Sequence, residues 1–309
     1  ANVFSSDELY GLTLNEKVIA YTKEVLRIAE KKEFQIIYAH DWMTFVAGVE
    51  LKKKFNVPLV LHVHSLSYDR VGVKNRGWVH AIEMIGLEHA DVVIPVSHYT
   101  GRVCAQHYNV DFNKIKPVHN GITKVDAFRS EKKGPEKMVL FLGRVTAQKG
   151  PEIFLNIATK VLEKNPNVRF VMAGTGDLLK NLMKEEAYLD LDDKFQFTGF
   201  LDEDEVHQAL AMSDVYCMPS VSEPFGLSAL EAVQFKVPTV ISSQSGAAEV
   251  LIHALKANYW DVETMSAHVL NLLEDDKLSR SVVTKSLKDL ELLTWEKTVE
   301  KIFTIFETL

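Results

Sequence analysis

Short apolar runs rich in β-branched residues alternate with longer helical patterns through most of this 309-residue chain. Such alternation is typical of βαβ units, in which helices join parallel strands and cover the faces of the sheet. Because a typical domain has roughly 150 residues, the length favours two units of this kind. A charged stretch at 126–137 that contains Gly134-Pro135 and has no apolar periodicity indicates a linker between them.

The same pattern predicts the positions of the strands and helices. In the first half, strands are expected at 34–39, 59–63 and 91–96, and helices at 15–32, 43–54, 77–89 and 98–108, the last capped by Ser97. In the second half, strands are expected at 138–142, 168–173, 194–198, 214–218 and 238–241. Helices are expected there at 151–164, 177–189, 203–212, 225–235, 246–254, 261–274, 277–291 and 295–308.

Composition excludes several classes of function. Lys and Arg number 35 against 42 Asp and Glu, so the net charge of −7 offers no overall electrostatic footprint for nucleic acid. The two cysteines, Cys104 and Cys217, form no Cys-x-x-Cys pair, which argues against a disulfide framework or a cysteine zinc site and favours a cytoplasmic protein. No apolar run approaches the ~20 residues of a membrane span, so no integral membrane segment is expected.

Two cations follow the first strand of the second half. That strand ends at Gly143 and the next helix opens at Pro151, which puts Arg144 and Lys149 at the carboxyl edge of a parallel sheet. Ligands bind at that edge in open α/β sheets, and two cations there suit a diphosphate. Two surface cations in a loop would give the same sequence pattern.

A Gly-Thr-Gly turn at 174–176 follows the next strand. Glycine allows a backbone to approach a ligand closely, but a structural tight turn requires glycine equally well. The full dinucleotide fingerprint is absent because Leu179 occupies the position of its third glycine. An NAD-dependent oxidoreductase is therefore disfavoured.

A Glu-Pro-Phe-Gly loop at 223–226 turns into a helix that carries Glu231. The backbone amides of Phe225, Gly226 and Leu227 lie at the positive end of that helix and form a candidate anion cradle. Glu223 precedes this helix and Glu231 lies about two turns inside it, so roughly 10–12 Å separate them. That distance suits two groups holding opposite parts of one extended ligand.

Histidines cluster at two predicted strand ends in the first half. His40-Asp41-Trp42 follows one strand, and His62 and His64 lie on the same side of the next because side chains alternate along a strand. They could bind a metal, transfer protons, grip hydroxyl groups or serve as structural groups. Metal is the less favoured use because the usual ligand spacing is not complete.

Together these motifs resemble the retaining glycosyltransferases that include bacterial glycogen and starch synthases and sucrose-phosphate-type enzymes. The resemblance extends from about Phe34 to the C-terminus. In the second half it rests on Gly143-Arg144 with Lys149-Gly150, Ala173-Gly174-Thr175-Gly176, Phe197-Thr-Gly199-Phe200, and the Glu-x7-Glu motif from Pro219 through Glu223 and Glu231 to Ala232. In the first half it rests on His40-Asp41-Trp42, Val63-His64 and His119-Asn120-Gly121-Ile122. The stretch from Gly246 to Asp261 is most similar to the glycogen-synthase-like branch.

This resemblance implies an α/β protein of the GT-B fold, with two Rossmann-like domains facing a cleft. Residues 1–130 would form the C-terminal part of the N-terminal, acceptor-side domain, and 131–294 the nucleotide-sugar-binding domain. Residues 295–309 would form a helix crossing back to the first domain. Family members open with a strand and a Gly-rich loop, which nothing before residue 34 matches, so the N-terminal portion of the first domain is expected to be missing.

The resemblance also assigns roles to residues. The catalytic group comprises His64, Arg144, Lys149 and Glu223. Arg144 and Lys149 would neutralise the charge on the leaving diphosphate, Glu223 would contact the transferred sugar, and His64 would reach that sugar from the other domain. The donor-binding group comprises Asp41, Asn120, Gly143, Gly174, Thr175, Phe200, Phe225, Gly226, Leu227 and Glu231, with Glu231 on the ribose hydroxyls.

The implied function is retaining transfer of a hexose, first of all glucose, from a nucleoside-diphosphate sugar to a glycan acceptor such as α-glucan. ADP-glucose and UDP-glucose are the favoured donors, GDP remains open, and neither a metal nor another cofactor is expected. Two alternatives stay open. One is a nucleotide-sugar-binding fragment without turnover, suggested by the absent Gly-rich loop. The other is a sugar-nucleotide 2-epimerase of the same fold, disfavoured by Glu-Pro-Phe-Gly and by the pair Arg144 and Lys149.

Overall fold

The computed structural model describes residues 14–72, 77–128, 136–189, 191 and 193–309, so Gly134 and Pro135 of the predicted linker lie outside the described residues. The chain divides into two compact units. The first comprises residues up to His119 together with Val299–Leu309, and the second comprises Asn120–Thr298.

The first break between the units, after His119, lies before the boundary that the sequence predicted at residue 130. The second break, after Thr298, lies beyond the boundary predicted at residue 294. Residues 120–128 belong to the second unit, and backbone N–H groups in this segment donate hydrogen bonds to other residues of that unit. The N–H of Ile122 donates to the carbonyl of Leu293, and the N–H of Val125 donates to Gln234 Oε1 at 2.9 Å.

The first unit contains a parallel sheet whose described strands are, in spatial order, β1 (Ile37–His40), β2 (Leu59–Val63) and β3 (Val92–Pro95). The described helices that accompany it are α1 (Leu14–Ala29), α2 (Trp42–Phe55), α3 (Ser67–Val71), α4 (Trp78–His89) and α5 (His98–Tyr108). Every residue of β2 is buried, as expected for a central parallel strand that is covered on both faces. Ser97 caps α5 as predicted, since its hydroxyl accepts from the N–H of Thr100.

The second unit contains a larger parallel sheet. Its described strands are β4 (Lys137–Leu142), β5 (Val168–Ala173), β6 (Phe195–Gly199), β7 (Val215–Met218), β8 (Thr239–Ser242) and β9 (Leu255–Ala257), in the order β6-β5-β4-β7-β8-β9. Its described helices are α6 (Pro151–Lys164), α7 (Leu179–Tyr188), α8 (Glu203–Met212), α9 (Leu227–Gln234), α10 (Ala247–Val250), α11 (Val262–Glu274) and α12 (Asp276–Leu290). The strand order reverses direction between β4 and β7, and crevices at such points are where open α/β sheets bind ligands.

The last helix, α13 (Trp295–Phe306), contributes residues to both units. From 299 onward it belongs to the first unit, where Ile302, Ile305 and Phe306 pack against a cluster that includes Val60 and Ile94. The apolar stripe that the sequence placed on this helix is thus partly buried. No helix among the described residues has the length and apolarity that a membrane span requires.

One predicted helix is wrong in its second half. The sequence predicted a helix at 246–254, but α10 ends at Val250 and the edge strand β9 follows it. Strand β9 has only three residues, with Lys256 at its centre, so it lacks the apolar run that identifies a strand. Its place is set by pairing with β8, which is a long-range interaction.

Candidate active site

The loops at the carboxyl edge of the second sheet are tied to one another through their backbones. The N–H of Gly143 donates to the carbonyl of Ala173 at 3.0 Å, and the N–H of Val145 donates to that of Thr175 at 2.8 Å. The N–H of Gly174 donates to the carbonyl of Gly199 at 2.8 Å. The loops after β4, β5 and β6 therefore form one hydrogen-bonded ledge at the end of the sheet.

Close packing within this ledge explains the Gly-Thr-Gly turn. A Cβ atom on Gly174 would lie 1.9 Å from the carbonyl oxygen of Gly143, and one on Gly176 would lie 2.1 Å from that of Val145. Both distances are far inside van der Waals contact. Close packing is therefore sufficient to explain why glycine occupies both positions, since any side chain would push the neighbouring loop away.

The central contact of the site is an ion pair between two of the predicted catalytic residues. Lys149 Nζ lies 2.5 Å from Glu223 Oε2, and both side chains are largely buried. Lys149 ends a short 3-10 turn after β4, and Glu223 lies in the loop after β7. Because β4 and β7 are paired neighbours, the two loops meet at the same edge of the sheet.

The position of Glu223 is fixed at its backbone as well as its side chain. Its N–H donates to the carbonyl of Gln244 at 3.0 Å, and its own carbonyl accepts from the N–H of Gly246 at 3.0 Å. The carboxylate also accepts from the hydroxyl of Ser220 at 3.4 Å. A carboxylate held in this way keeps one orientation, which is what a group that must contact a substrate at a defined atom requires.

Gln148 is a buried residue that the sequence reasoning missed. Its side-chain Oε1 accepts from Arg144 Nη2 at 3.2 Å, and its Nε2 donates to the carbonyl of Ser222 at 3.1 Å. Its backbone carbonyl accepts from the N–H of Val221 at 2.9 Å. One side chain therefore links Arg144 to the loop that carries Glu223. The sequence carried no signal for this role beyond the position of Gln148 next to Lys149.

Helix α9 begins later than predicted, at Leu227, because Gly226 adopts a left-handed conformation with φ +101°. The N–H groups of a helical first turn have no acceptor within the helix, so the predicted cradle lies at the start of α9. Phe225 is buried and Leu227 is 44% exposed.

Two adjoining cavities in the second unit collect most of the predicted donor-binding residues. The smaller has a volume of about 230 Å³ and is lined by Gly143, Arg144, Gly174, Thr175 and Phe200, among others. The larger, of about 780 Å³, shares Phe200 with it and extends to Leu227 and Glu231. Asn120, which is buried, precedes Gly121 and Ile122 on the wall of the larger cavity.

Burial changes the acidity of Glu231. Removal of the carboxyl group from water raises its pKa, Glu203 raises it further, and His207 opposes the shift. A carboxylate in this setting is a strong hydrogen-bond acceptor because little water competes for it. It can accept hydrogen bonds from the hydroxyl groups of a ligand that enters the larger cavity.

The first unit holds the remaining predicted residues, His64 and Asp41. Asp41 Oδ1 accepts from the backbone N–H of His64 at 2.7 Å and from that of Ser65 at 3.3 Å. Asp41 itself has φ 57° and ψ 170°, a conformation outside the left-handed α region that residues other than glycine rarely adopt. It therefore orients the loop that follows β2 and carries His64.

His64 belongs to a group of three histidines. His40 and His62 are opposite each other in the register of β1 and β2, and the ring of His64 stacks on that of His62 with centroids 4.2 Å apart. Burial, followed by the neighbouring His64 and His40, lowers the pKa of His62 to about 3. Burial and His64 also lower the pKa of His40, while Asp41 opposes the shift.

Comparisons with known proteins agree with this architecture. Residues 123–289 match the family Glycosyl transferases group 1, and residues 5–124 match Glycosyltransferase Family 4. An uncharacterised glycosyltransferase of Methanocaldococcus jannaschii is 30% identical over 297 residues, which cover 89% of this chain and 75% of that protein. Glycogen synthase of Mycobacterium tuberculosis is 26% identical over 78% of this chain and 60% of its own length.

Solved structures share the fold at low sequence identity. Sucrose-phosphate synthase from Thermosynechococcus elongatus superimposes with a TM-score of 0.81 at 18% identity, covering 99% of this chain and 80% of that one. The Anabaena protein Alr3699/HepE in complex with UDP-glucose gives a TM-score of 0.78 at 17% identity, covering 93% and 82%. The predicted α/β GT-B fold is thereby confirmed. The chain belongs to the group 1 glycosyl transferases and is a glycosyltransferase.

Proposed function

We propose that this glycosyltransferase moves a hexose, first of all glucose, from a nucleoside-diphosphate sugar to a glycan acceptor with retention of anomeric configuration. The observation that carries the proposal is the Lys149–Glu223 pair, with Nζ and Oε2 2.5 Å apart at the edge where the β4 and β7 loops meet. Arg144 lies on the wall of the smaller cavity and is linked to the Glu223 loop through Gln148. A cation and a carboxylate at one point suit a ligand in which a phosphate adjoins a sugar.

In the proposed mechanism, Arg144 and Lys149 bind the diphosphate and neutralise the charge that builds on it as the sugar leaves. Such preorganised charge is a strong catalytic contribution because it needs no rearrangement during the reaction. Glu223 accepts hydrogen bonds from the transferred sugar, and the amides at the start of α9 bind sugar and phosphate oxygens. The acceptor hydroxyl attacks the anomeric carbon from the face that the diphosphate leaves. The bond from that carbon to the phosphate oxygen breaks as the glycosidic bond forms, and the hydroxyl proton passes to the departing phosphate oxygen. We propose that the fixed cations make a metal ion unnecessary for this step.

The nucleoside is proposed to lie across Phe200 towards the larger cavity. Phe200 is 77% exposed on the boundary of the two cavities, which leaves its ring free to pack against a base. Glu231 is then placed to accept hydrogen bonds from ribose hydroxyls, while Gly143, Gly174 and Thr175 border the diphosphate. The solved relative in complex with UDP-glucose supports a donor of this class.

The remaining predicted residues complete the proposal. His64 is proposed to contact the transferred sugar, Asp41 to orient the His64 loop through its two backbone hydrogen bonds, and Asn120 to assist donor binding. The resemblance to glycogen synthase, at 26% identity, supports α-glucan as the first acceptor to test. We also propose a cytoplasmic location, which two free buried cysteines favour.

The test has two stages. Isothermal titration with ADP, UDP and GDP measures binding of the nucleoside diphosphate, and release of that product from ADP-glucose or UDP-glucose is then followed with and without glycogen. Release that depends on glycogen, with an α-configured product by NMR, is the expected result. If none of the three nucleotides binds, the proposal fails. Binding without release would indicate a binding fragment, and conversion of the sugar nucleotide without acceptor would indicate an epimerase.

A further inference from the structure

Three clustered histidines of the first unit bring ring nitrogens within reach of one metal ion. One ring nitrogen of each of His40, His62 and His64 lies within 4.8 Å of those of the other two. His40 Nδ1 lies 3.0 Å from His64 Nε2. Three imidazole nitrogens bound to Zn²⁺ at ~2.1 Å in tetrahedral geometry lie roughly 3.4 Å apart, so no gap between the three has to close by more than about 1.4 Å.

The two ring nitrogens of His62 differ in their hydrogen bonding. Its Nδ1 contacts the hydroxyl of Tyr38 at 2.5 Å, while its Nε2 is buried without a hydrogen-bond partner among the described residues. The residue as a whole is 4% exposed. Buried polar atoms are normally satisfied, so an orphaned ring nitrogen beside two other imidazoles calls for a ligand.

The surroundings of the cluster also suit a cation. A metal-bound imidazole usually donates its second ring N–H to an oxygen, and the Tyr38 hydroxyl is positioned to accept from His62 Nδ1. The carboxylate of Asp41 interacts electrostatically with His40 and adds negative potential.

We propose that His40, His62 and His64 bind one Zn²⁺ ion or a similar divalent transition metal, with the fourth position open to water. Imidazole ligands select such ions over Mg²⁺, which prefers oxygen. The ion is not needed for transfer. Because it occupies His64, it inhibits transfer, and this second part rests on the proposed function of His64 as a sugar contact.

The first experiment measures the metal alone. The tag-free protein is titrated with Zn²⁺ by calorimetry, with Mg²⁺ as the control ion, and with Co²⁺ while visible absorption is recorded. We expect binding of one Zn²⁺, no binding of Mg²⁺, and the intense Co²⁺ absorption that is typical of four-coordinate sites. The variants His40→Gln and His62→Gln should each weaken Zn²⁺ binding at least about tenfold, since even loss of an outer-shell partner costs 10–100-fold.

The matched control is His89→Gln, a half-buried histidine of the same unit at the end of α4 and outside the cluster, whose Nδ1 lies 2.9 Å from the carbonyl oxygen of Ile85. It should bind Zn²⁺ as the unmodified chain does. Because His62 is buried, circular dichroism must first establish that its variant folds, and the exposed His40 provides the independent test. Absence of Zn²⁺ binding, or unchanged binding in both His40→Gln and His62→Gln, would overturn the metal site.

The second experiment measures transfer as a function of Zn²⁺, each variant relative to its own rate without metal. Half-inhibition should occur near the dissociation constant for Zn²⁺ and should move at least about tenfold higher in His40→Gln. If the protein binds Zn²⁺ and gives the intense Co²⁺ absorption, but Zn²⁺ does not inhibit transfer, the metal site stands and the inhibitory role is refuted. A chain that binds Zn²⁺ but no nucleoside diphosphate refutes the proposed function instead.

Discussion

Lys149 Nζ lies 2.5 Å from Glu223 Oε2 although 74 positions separate the two residues along the chain. The contact joins the loop after β4 to the loop after β7, whose strands are direct neighbours in the sheet. The carboxylate holds the ammonium group at the edge of the sheet. A phosphate that arrives there can share the ammonium group without displacing the carboxylate, because an ammonium group has three donors.

Replacement of Lys149 should remove the charge that the leaving diphosphate requires. We expect Lys149→Ala to lower kcat by at least about 100-fold and to weaken binding of the nucleoside diphosphate, because fixed charges near developing charge contribute on this scale. Steady-state kinetics and isothermal titration measure the two effects. Lys160→Ala is the control, since Lys160 lies on α6 and pairs with Glu263 at the surface.

The same variant leaves Glu223 without its partner, and an unpaired buried carboxylate destabilises the fold. We therefore expect Lys149→Met combined with Glu223→Gln to recover stability that Lys149→Ala loses, while transfer stays abolished. Urea unfolding measures the first effect. Transfer at the normal rate in either variant would contradict the assigned roles.

Glu231 should bind the nucleoside at a cost in stability. Its pKa is raised, chiefly by burial, so the folded state favours the protonated form and the ionised carboxylate destabilises the fold. This cost is fully present above the folded pKa and disappears as pH falls below the unfolded value of 4.5. We expect Glu231→Gln to raise the free energy of unfolding at pH 7 and to have little effect below pH 4.5.

The same substitution should weaken binding of the nucleoside diphosphate, because an amide accepts hydrogen bonds from hydroxyl groups less strongly than a carboxylate. Titration calorimetry at pH 7 measures this effect. Glu163→Gln, at an exposed position of α6, is the control for both measurements. A variant that gains stability at pH 7 but binds the nucleotide unchanged would refute the ribose contact and leave the electrostatic argument standing.

Alanine substitution at two glycines of the site distinguishes the cost of steric crowding from the cost of backbone strain. A Cβ on Gly176 would lie 2.1 Å from the carbonyl oxygen of Val145, whereas Gly199 has φ +76° and open space around it. We expect Gly176→Ala to cost about 3 kcal/mol or more, because the loop carrying Arg144 must move. Gly199→Ala should cost about 1–2 kcal/mol through its conformation alone. Urea unfolding ranks the two, and the reverse order would contradict the packing of the loops.

The two cysteines should report on unfolding, one for each unit. Cys104 lies in the first unit and Cys217 in the second, both fully buried, and burial raises the pKa of each thiol. Because the thiolate is the reactive form, we expect neither to react with Ellman's reagent in the native protein. Cys217→Ala leaves Cys104 as the reporter of the first unit in urea, and Cys104→Ala does the converse. Rapid labelling without denaturant would contradict their burial.

Local pattern was sufficient to place many of the elements. The bounds predicted for β5, α6 and α8 agree with the structure, since each combines a clear apolar period with a recognisable start or end. Helix α10 and strand β9 could not be placed in this way, because a three-residue edge strand is defined by its neighbour. Local pattern also predicted that Arg144 and Lys149 follow the first strand of a new βα series. It did not predict the role of Gln148.

The sequence by itself determined the α/β class, the residues at the strand ends and that His62 and His64 lie on the same side of β2. Periodicity decides these features, and periodicity is a property of neighbouring residues. The tertiary structure alone decided that β4 pairs with β7, which joins Lys149 to Glu223, and that His40 lies opposite His62. Strand order and register depend on contacts between distant segments, so both the ion pair of the site and the three-histidine cluster exist only in the folded chain.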